Sequence, residues 1–435
     1  MTSQAFRESR PSREFVTVVA TAIIVWVVFN LFGQQVLRAY ALGNDQLTDT
    51  GDSYSEANDI RAGEGYAAMG LTSNAGLPDA NYGNRFEHVG GKHDTLLCES
   101  PERCIYLHYP PLPELVLGVA TKWFGVGRLF VYRLFPITLG LIALSALGAA
   151  LFKAIGPVRA AVVMWLFGNV PMTSNMMHVV ALHEYAVAFF LLEMAVLLVA
   201  VSAPVLRTWH LVALGVAAFL EGWTAFDYVF LVSLAPLCVF LAFKDIGNPV
   251  SRNRLLKLIA VASGAYALAL LMHFVQVAVF LGGVRAAFSN FAAAGKNRSV
   301  GPSWVVPPIS GGLGLVLYYW VNLLPGKMFY DGNFVALLAV VVTLMWPKKA
   351  SASLGRLGRV SWTSSWQRLA SFMLMLALAC GWIVTMQQHS SIHGHFLPRL
   401  FTSVVLWAYV LVAWSVSFEP PGARAQITPA DGATE

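Results

Sequence analysis

The amino-acid sequence predicts an all-α integral membrane protein with about ten transmembrane helices. Hydrophobic residues make up 57% of the 435 residues and charged residues only 12%, about half of the roughly 25% found in soluble domains. That leaves too little polar surface to cover a water-soluble chain of this length. Apolar runs near the roughly 20 residues that a spanning helix needs recur along the whole chain. This pattern excludes a single signal peptide on a soluble enzyme.

The predicted spans share an apolar run bounded by polar or turn-forming residues. They are 15–37, 129–152, 158–174, 183–203, 208–225, 227–243, 254–282, 330–346, 368–386 and 398–417. Two further apolar stretches, 111–124 and 311–324, would cover only about 21 Å at roughly 1.5 Å per residue. Because that is shorter than the hydrocarbon core, we interpret both as interfacial helices on the outer face.

Lysine and arginine set the predicted orientation in the plasma membrane. Arg7, Arg10 and Arg13 precede the first span and place the N-terminus in the cytoplasm by the positive-inside rule. The predicted cytoplasmic loops 153–159, 204–208, 244–257 and 347–368 are all basic. The net charge of +6 therefore serves topology and does not indicate a nucleic-acid partner.

This orientation divides the chain into a cytoplasmic N-terminus, a polytopic membrane domain and a cytoplasmic tail that we expect to be disordered. The bounds are 1–14, 15–417 and 418–435. The membrane domain contains two long outer loops, 38–128 and 283–329.

The first outer loop is acidic, and loops of its length are functional or disordered. Between Arg38 and Pro113 it holds 11 of the chain's 23 acids. Two of the chain's four cysteines, Cys98 and Cys104, also lie there. In an oxidising compartment they are expected to form a disulfide, and two free thiols are the alternative. Cys238 and Cys380 lie in apolar runs and are interpreted as core residues.

The first candidate site is the stretch 49–66, DTGDSYSEANDIRAGEGY. Helical spacing of its apolar positions predicts a helix that starts near Asp52 and ends at Gly63 and Gly65. Asp52 is either an N-cap or a general base at the membrane surface. Asp49 and Tyr54 are candidates for substrate binding.

Two more candidates lie where predicted outer loops meet helices. In 106–113, YLHYPPLP, His108 and Tyr109 are either part of a loop-to-helix junction or polar groups that bind substrate at the lipid–water boundary. In 178–185, HVVALHEY, His183 and Glu184 are either a solvated loop end or functional groups at membrane depth. Asp227, at the next outer turn, is open to the same two interpretations.

The last candidate is 387–399, QQHSSIHGHFLPR. His389, His393 and His395 leave open a divalent metal held by imidazoles, although their spacing matches no standard set. His393 is also a candidate for substrate binding. Arg399 is either an interfacial residue whose charge reaches the headgroups or a cation that binds phosphate.

In combination, these segments resemble the C-type (GT-C) polytopic glycosyltransferases and are similar to the polyprenyl-phosphate-mannose protein mannosyltransferase and aminoarabinose transferase groups. The matching segments are GDSYSEANDIRAGEGY, HYPPLPELVLGVATKWFG with RLFPITLG, HEYAVAFFLLEMAVLL and HSSIHGHFLPRLF. They cover about the first 200 residues and the last 50, and their order carries the resemblance. Between them, only the topology matches.

The resemblance implies inverting transfer of a sugar from a polyprenyl-phosphate donor to an acceptor on the outer face. Asp52 would deprotonate the acceptor, Arg399 would hold the phosphate and Glu184 would orient a substrate. Where the family usually has a second acid beside the base, this chain has Ser53, which leaves Asp49 as the reserve candidate for the base. The acceptor is a lipid, a glycan or a protein.

Two other functions stay open at this point. A transporter or flippase for a lipid-linked sugar would have a midplane polar site in broken helices. A membrane scaffold would use the outer loop to bind a partner and would tolerate Asp52→Asn.

Overall fold

The computed structural model describes ten stretches of the chain and is a bundle of α-helices capped at one end by shorter elements. The described residues are 12–48, 53–84, 96–100, 103–170, 173, 177–243, 251–300, 360–362, 366–386 and 397–418. Their helices are α1 Arg13–Leu42, α2 Ser53–Met69, α3 Leu112–Phe124, α4 Leu129–Ile155, α5 Pro157–Gly168, α6 Leu182–Ser202, α7 Thr208–Gly222, α8 Val229–Phe243, α9 Arg252–Phe280, α10 Val284–Val300, α11 Trp366–Thr385 and α12 Leu397–Ser415.

Nine of the ten predicted spans coincide with helices, namely α1, α4 to α9, α11 and α12. Five helices are long and apolar enough to cross a membrane: Glu14–Leu42, Leu129–Ile155, Glu184–Ser202, Arg252–Phe280 and Trp366–Thr385. The apolar helices α5, α7, α8 and α12 are shorter. The predicted span 330–346, the interfacial helix 311–324 and the tail beyond 418 lie outside the described residues. The division into domains therefore stays a prediction.

The helices of the bundle pack against helices both near and distant in sequence. α4 packs on α6 and on α1, α6 on α7, α7 on α9, and α8 on α11, while α12 contacts α5 and α11. The core they enclose is apolar, with Trp407 and Phe167 fully buried. In contrast, α1 exposes Phe15, Trp26 and Phe29 by 60%, 57% and 65%. Such exposure fits a helix face that contacts lipid chains.

One end of the bundle, here called the loop face, is covered by α2, α3, α10 and a β-hairpin. The hairpin strands are β1 Leu96–Ser100 and β2 Arg103–Tyr106, and a second strand pair joins β3 Val360–Trp362 to β4 Val416–Phe418. The all-α prediction thus omitted two small antiparallel strand pairs. It also omitted helix α10, whose sequence is short and polar within the predicted loop 283–329.

The prediction that Gly63 and Gly65 end the helix at 53 is wrong. Helix α2 continues through both glycines to Met69. A Cβ atom on Gly63 would lie 2.6 Å from Cβ of Leu117 in α3, and one on Gly65 would lie 3.2 Å from Cγ of Tyr82. The glycines therefore permit close approach of neighbouring backbone, as small residues do at helix contacts, and they do not terminate the helix.

Candidate active site

A buried ion pair ties four segments together at the loop face. Nε of Arg133 in α4 lies 3.2 Å from Oε1 of Glu56 in α2, and neither side chain is exposed. The other guanidinium nitrogens donate to the carbonyl oxygens of Gly43 (3.0 Å) and Gln46 (2.6 Å), which follow α1. Glu56 in turn accepts from the backbone N–H of Val180 at 3.4 Å. The hydrogen bonds of the guanidinium offset the cost of burying the two charges and hold the ion pair in one geometry.

This pair borders the segment that contains Asp49 and Asp52. The N–H of Thr48 donates to Oε2 of Glu56 at 2.6 Å, and α2 starts at Ser53. Both ends of the four-residue connection 49–52 are therefore anchored close to Glu56. The two aspartates themselves lie outside the described residues, so their roles stay predictions.

A second contact fixes Thr48 from the side of α6. The Nδ1 atom of buried His178 lies 2.8 Å from Oε1 of Gln35 in α1, and because a side-chain carbonyl only accepts, Nδ1 donates. Its Nε2 atom faces Oγ1 of Thr48 at 3.5 Å. His178 thus links α1, the segment after it and the approach to α6.

The predicted disulfide between Cys98 and Cys104 is confirmed, and it bridges β1 and β2. β2 is held from its other side by residues 78–80. Oδ1 of Asp79 accepts from the N–H of Cys104 at 2.9 Å, and the N–H of Tyr106 donates to the carbonyl of Pro78 at 2.9 Å. These hydrogen bonds fix the direction in which the chain leaves β2. Residues 107–109 then cross the end of the bundle, where Tyr109 contacts the turn between α7 and α8.

The residues after β2 form an aromatic stack over the bundle. The ring of Tyr109 stacks on Phe226 with centroids 4.9 Å apart, and Tyr106 stacks on Tyr109 at 6.0 Å. The guanidinium of Arg298 in α10 lies 5.3 Å from the centroid of the Tyr109 ring. Burial acts to lower the pKa of Arg298, but Tyr109, Tyr106 and Asp227 raise it overall. The arginine is therefore a charged group beside three oxygen-bearing side chains.

A cavity of about 410 Å³ opens beside this stack. Its polar lining residues are His108, His273 and Arg298, and its other lining residues are apolar or aromatic. Among the described residues, neither ring nitrogen of His108 has a hydrogen-bond partner. Burial, with the nearby Arg298 and His273, lowers the pKa of His108 to about 2. His108 therefore presents a neutral imidazole, with one donor and one acceptor, to a molecule in the cavity.

Asp227 lies in the turn between α7 and α8 and faces the same cluster. Burial raises its pKa to about 6, although the charge of Arg298 acts in the opposite direction. Glu114 at the start of α3 is also buried, and burial raises its pKa to about 8. The loop face therefore carries acids whose protonation changes near neutral pH, a property common at functional sites.

The structure brings His108, Tyr109 and Asp227 together around Arg298 at the loop face. Glu184 is buried in the first turn of α6 and interacts electrostatically with Tyr228, next to Asp227. Tyr54, His183 and Arg399 lie in α2, α6 and α12, but their side chains are outside the description. His393 lies outside the described residues altogether.

Arg298, His273 and the Glu56–Arg133 pair were not among the site residues predicted from the sequence. Arg298 was assigned to an outer loop, and the one available signal was its position in the basic stretch GKNRS after an apolar run. His273 and Arg133 were inside predicted spans, where an ionisable residue is itself a sign of function or of a buried partner. Within the described ranges, no group of three or more His, Cys, Asp or Glu residues is placed to hold a metal.

The class that this fold defines is that of polytopic α-helical membrane proteins with an ArnT-like arrangement of helices, in agreement with the resemblance in the sequence. The particular structure that shows it is ArnT from Cupriavidus metallidurans bound to undecaprenyl phosphate, with a TM-score of 0.52 and 15% identity. The match covers 92% of this chain and 60% of the ArnT chain, so the chain spans about three-fifths of the length of that protein. At this identity, the likeness shows the fold alone.

The apo structure of the same ArnT gives a TM-score of 0.47 at 17% identity, covering 91% of this chain and 59% of the other. No family model matches the sequence, and no curated protein matches it.

Proposed function

We propose that this protein transfers a sugar from a polyprenyl-phosphate donor to an acceptor at the loop face, which is the outer face of the plasma membrane in the predicted orientation. The observation that carries the proposal is the cavity with Arg298 and His108 on one wall and Phe226, Leu270, Trp382 and Met386 on the others. An apolar wall suits a polyprenyl chain, and an arginine suits a phosphate. The neutral imidazole of His108 suits a sugar hydroxyl. The GT-C fold supports this function.

The proposed reaction is a single inverting displacement at the anomeric carbon. The acceptor oxygen bonds to that carbon and loses its proton to a base, while the phosphate leaves with the bonding electrons. Catalysis then requires a base on one side and positive charge on the other. We assign the base to Asp52, with Asp49 in reserve, because the Glu56–Arg133 pair lies beside the residues that flank both, Thr48 and the start of α2.

Two arginines are candidates for holding the phosphate. Arg399 is the one that the family resemblance implies, and it lies in the first turn of α12. Arg298 is supported by the described cavity and by its charge beside Tyr109. Glu184 and Asp227 would orient a substrate, and Tyr54, Tyr109, His183 and His393 would contact it.

The experiment that tests this function compares envelope glycolipids and glycans by mass spectrometry. Cells that express the wild type, no protein, or the Asp52→Asn variant are compared at equal membrane expression. We expect one glycosylated product to be present with the wild type and missing in both other samples. Its presence without the protein contradicts the proposal. If it persists with Asp52→Asn but needs the protein, the base lies elsewhere.

A transporter or flippase for a lipid-linked sugar is the second candidate, because Glu193 and Glu221 are fully buried inside spans. However, α6, which carries Glu193, is one continuous helix of 21 residues, whereas this class uses broken helices. An assay in proteoliposomes with a fluorescent lipid-linked sugar distinguishes a flippase from a transferase. A flippase moves the donor without acceptor, and a transferase consumes it only when acceptor is present.

A further inference from the structure

Two glutamates lie inside the bundle, and neither carboxyl group has a hydrogen-bond partner in the part of the chain that the structure describes. Glu193 in α6 and Glu221 in α7 are both 0% exposed. Among the described residues, none of their four carboxyl oxygens has a partner. Since buried polar groups in proteins are nearly always hydrogen-bonded, such a set indicates that something else satisfies them.

The two carboxyl groups lie in packed neighbouring helices and act on each other. α6 packs against α7, and Glu193 interacts electrostatically with Glu221. Glu193 is in the middle of the apolar span Glu184–Ser202. Helix α7 has 15 residues, about 22 Å at roughly 1.5 Å per residue. Glu221 lies in the last turn of this helix, where its interaction with Glu193 places it inside the bundle.

Among the residues that the structure describes, no positive charge balances the pair. The charged groups that act on Glu221 are Glu193 and Asp227, and both are acids. Removing an ionised carboxylate from water costs several kcal/mol even after the protein relaxes, unless a partner compensates. Two adjacent carboxylates without a cation would incur that cost twice and would also repel each other. A protonated carboxyl avoids both penalties and can donate to its neighbour.

A third group in the same place has no hydrogen-bond partner within the described ranges either. The hydroxyl of Tyr228, only 1% exposed, interacts electrostatically with Glu221 and has no hydrogen bond among the described residues. Tyr266 also acts on both glutamates, but its hydroxyl donates to the carbonyl of Ala225 at 2.6 Å. Tyr228 therefore adds an unused donor and acceptor next to the two carboxyl groups.

We propose that Glu193 and Glu221 form an intramembrane proton-binding site in which the pair retains at least one proton at neutral pH. The retained proton lets one carboxyl donate to the other, and Tyr228 closes the cluster. The inference is independent of sugar transfer, since the proposed reaction uses neither glutamate. It does reach the cavity, because Asp227 acts on both Glu221 and Arg298.

The test uses N,N′-dicyclohexylcarbodiimide, an apolar reagent that needs a protonated carboxyl group. The carboxyl proton moves to a carbodiimide nitrogen while the carboxyl oxygen bonds to the central carbon, and the O-acylisourea rearranges to a stable N-acylurea. The purified wild type is labelled at neutral pH in choline chloride or in sodium chloride and mapped by peptide mass spectrometry. We expect the label on Glu193 or Glu221, none on exposed Glu14, and equal amounts in both salts.

Infrared spectroscopy supplies a second measurement that does not depend on access of the reagent. The wild type should show a carbonyl band of a buried protonated carboxylic acid, which Glu193→Gln with Glu221→Gln removes. If the wild type shows neither the label nor the band, the pair is ionised and the proposal is overturned. Protection from labelling by sodium also overturns it, since the site would then bind a metal ion instead of a proton.

Discussion

Arg133 and Glu56 meet with Nε 3.2 Å from Oε1, although neither side chain is exposed. One residue comes from α4 and the other from α2, so the pair joins the bundle to its cap. It also holds the backbone of residues 43–48 through three of the hydrogen bonds described above. The connection that carries the proposed base begins where those bonds end.

Replacing Arg133 by Met is expected to destabilise the protein by about 3–5 kcal/mol, since it leaves a buried carboxylate without its partner. The measurement is thermal unfolding in detergent, with Arg252→Met as the matched control because Arg252 is exposed. Equal melting temperatures for the two variants would contradict the structural role of the pair. Glu56→Gln, which is nearly isosteric, should lie between the wild type and Arg133→Met.

Arg298→Ala is expected to lower sugar transfer by about 100-fold, the usual loss when one electrostatic donor is removed from an active site. Lys296→Ala is the matched control, because Lys296 is an exposed cation on the same helix. Arg298→Lys should fall between the wild type and Arg298→Ala, because lysine keeps the charge but not the two-pronged geometry. Transfer is measured with donor and acceptor in proteoliposomes. A similar loss in Lys296→Ala would point to net charge and not to the cavity.

The raised pKa of Asp227 predicts that the stability of the folded protein depends on pH. Its pKa is raised from 3.8 to about 6 by burial, so between these values the native state holds a proton that the unfolded state has released. The stabilisation that Asp227 contributes to the folded state is therefore complete below about pH 4. It decreases as the pH rises to about 6 and does not change further above that pH. The melting temperature of Asp227→Asn minus that of the wild type should rise across this window.

His108 has the opposite effect on stability, because its pKa is lowered and the unfolded state therefore binds a proton that the native state does not. The wild type and Asp227→Asn both contain His108, so the difference between their melting temperatures cancels this effect. Exposed Asp45 provides the control substitution, Asp45→Asn. A difference between Asp227→Asn and the wild type that stays flat from pH 4 to pH 6 would show that the Asp227 carboxyl titrates normally.

Gly63→Ala tests the close contact of α2 with α3. The new Cβ would lie 2.6 Å from Cβ of Leu117 and 3.1 Å from its backbone carbonyl carbon, so helices must separate at a cost of about 1–3 kcal/mol. Gly33→Ala in α1 meets nothing within 4 Å and should be neutral or stabilising, as alanine favours a helix over glycine. Thermal unfolding of both variants measures this difference in stability. A higher melting temperature for Gly63→Ala than for Gly33→Ala would contradict the close contact of α2 with α3.

The predicted topology places residues 52 and 399 in one compartment. Asp52→Cys and Arg399→Cys are made separately in a background with Cys238→Ser and Cys380→Ser. Both should react with a membrane-impermeant maleimide added to intact spheroplasts, whereas a cysteine at Arg252 should react only after lysis. Labelling of 52 and 399 from opposite sides would end the proposal that both flank one lipid phosphate.

Local features predicted much of this architecture. The bounds of α1, α4, α6 and α9 follow from long apolar runs, and the start of α3 follows from Pro111 and Pro113. The disulfide followed from two cysteines in a loop expected to be oxidised. The end of α2 was misjudged because a glycine at a helix contact and a glycine at a helix stop look the same without the neighbouring helix.

The sequence by itself determined that the chain belongs in a membrane, where most of its helices begin and end, and that its acids and histidines gather in a few loops. Those properties depend on hydrophobicity and spacing along the chain. Only the tertiary structure decided that Arg298 stands over Tyr109, that Arg133 pairs with Glu56, and that Glu193 meets Glu221. The members of each pair are 28 to 189 positions apart, and only the packing of different helices and loops brings such residues together.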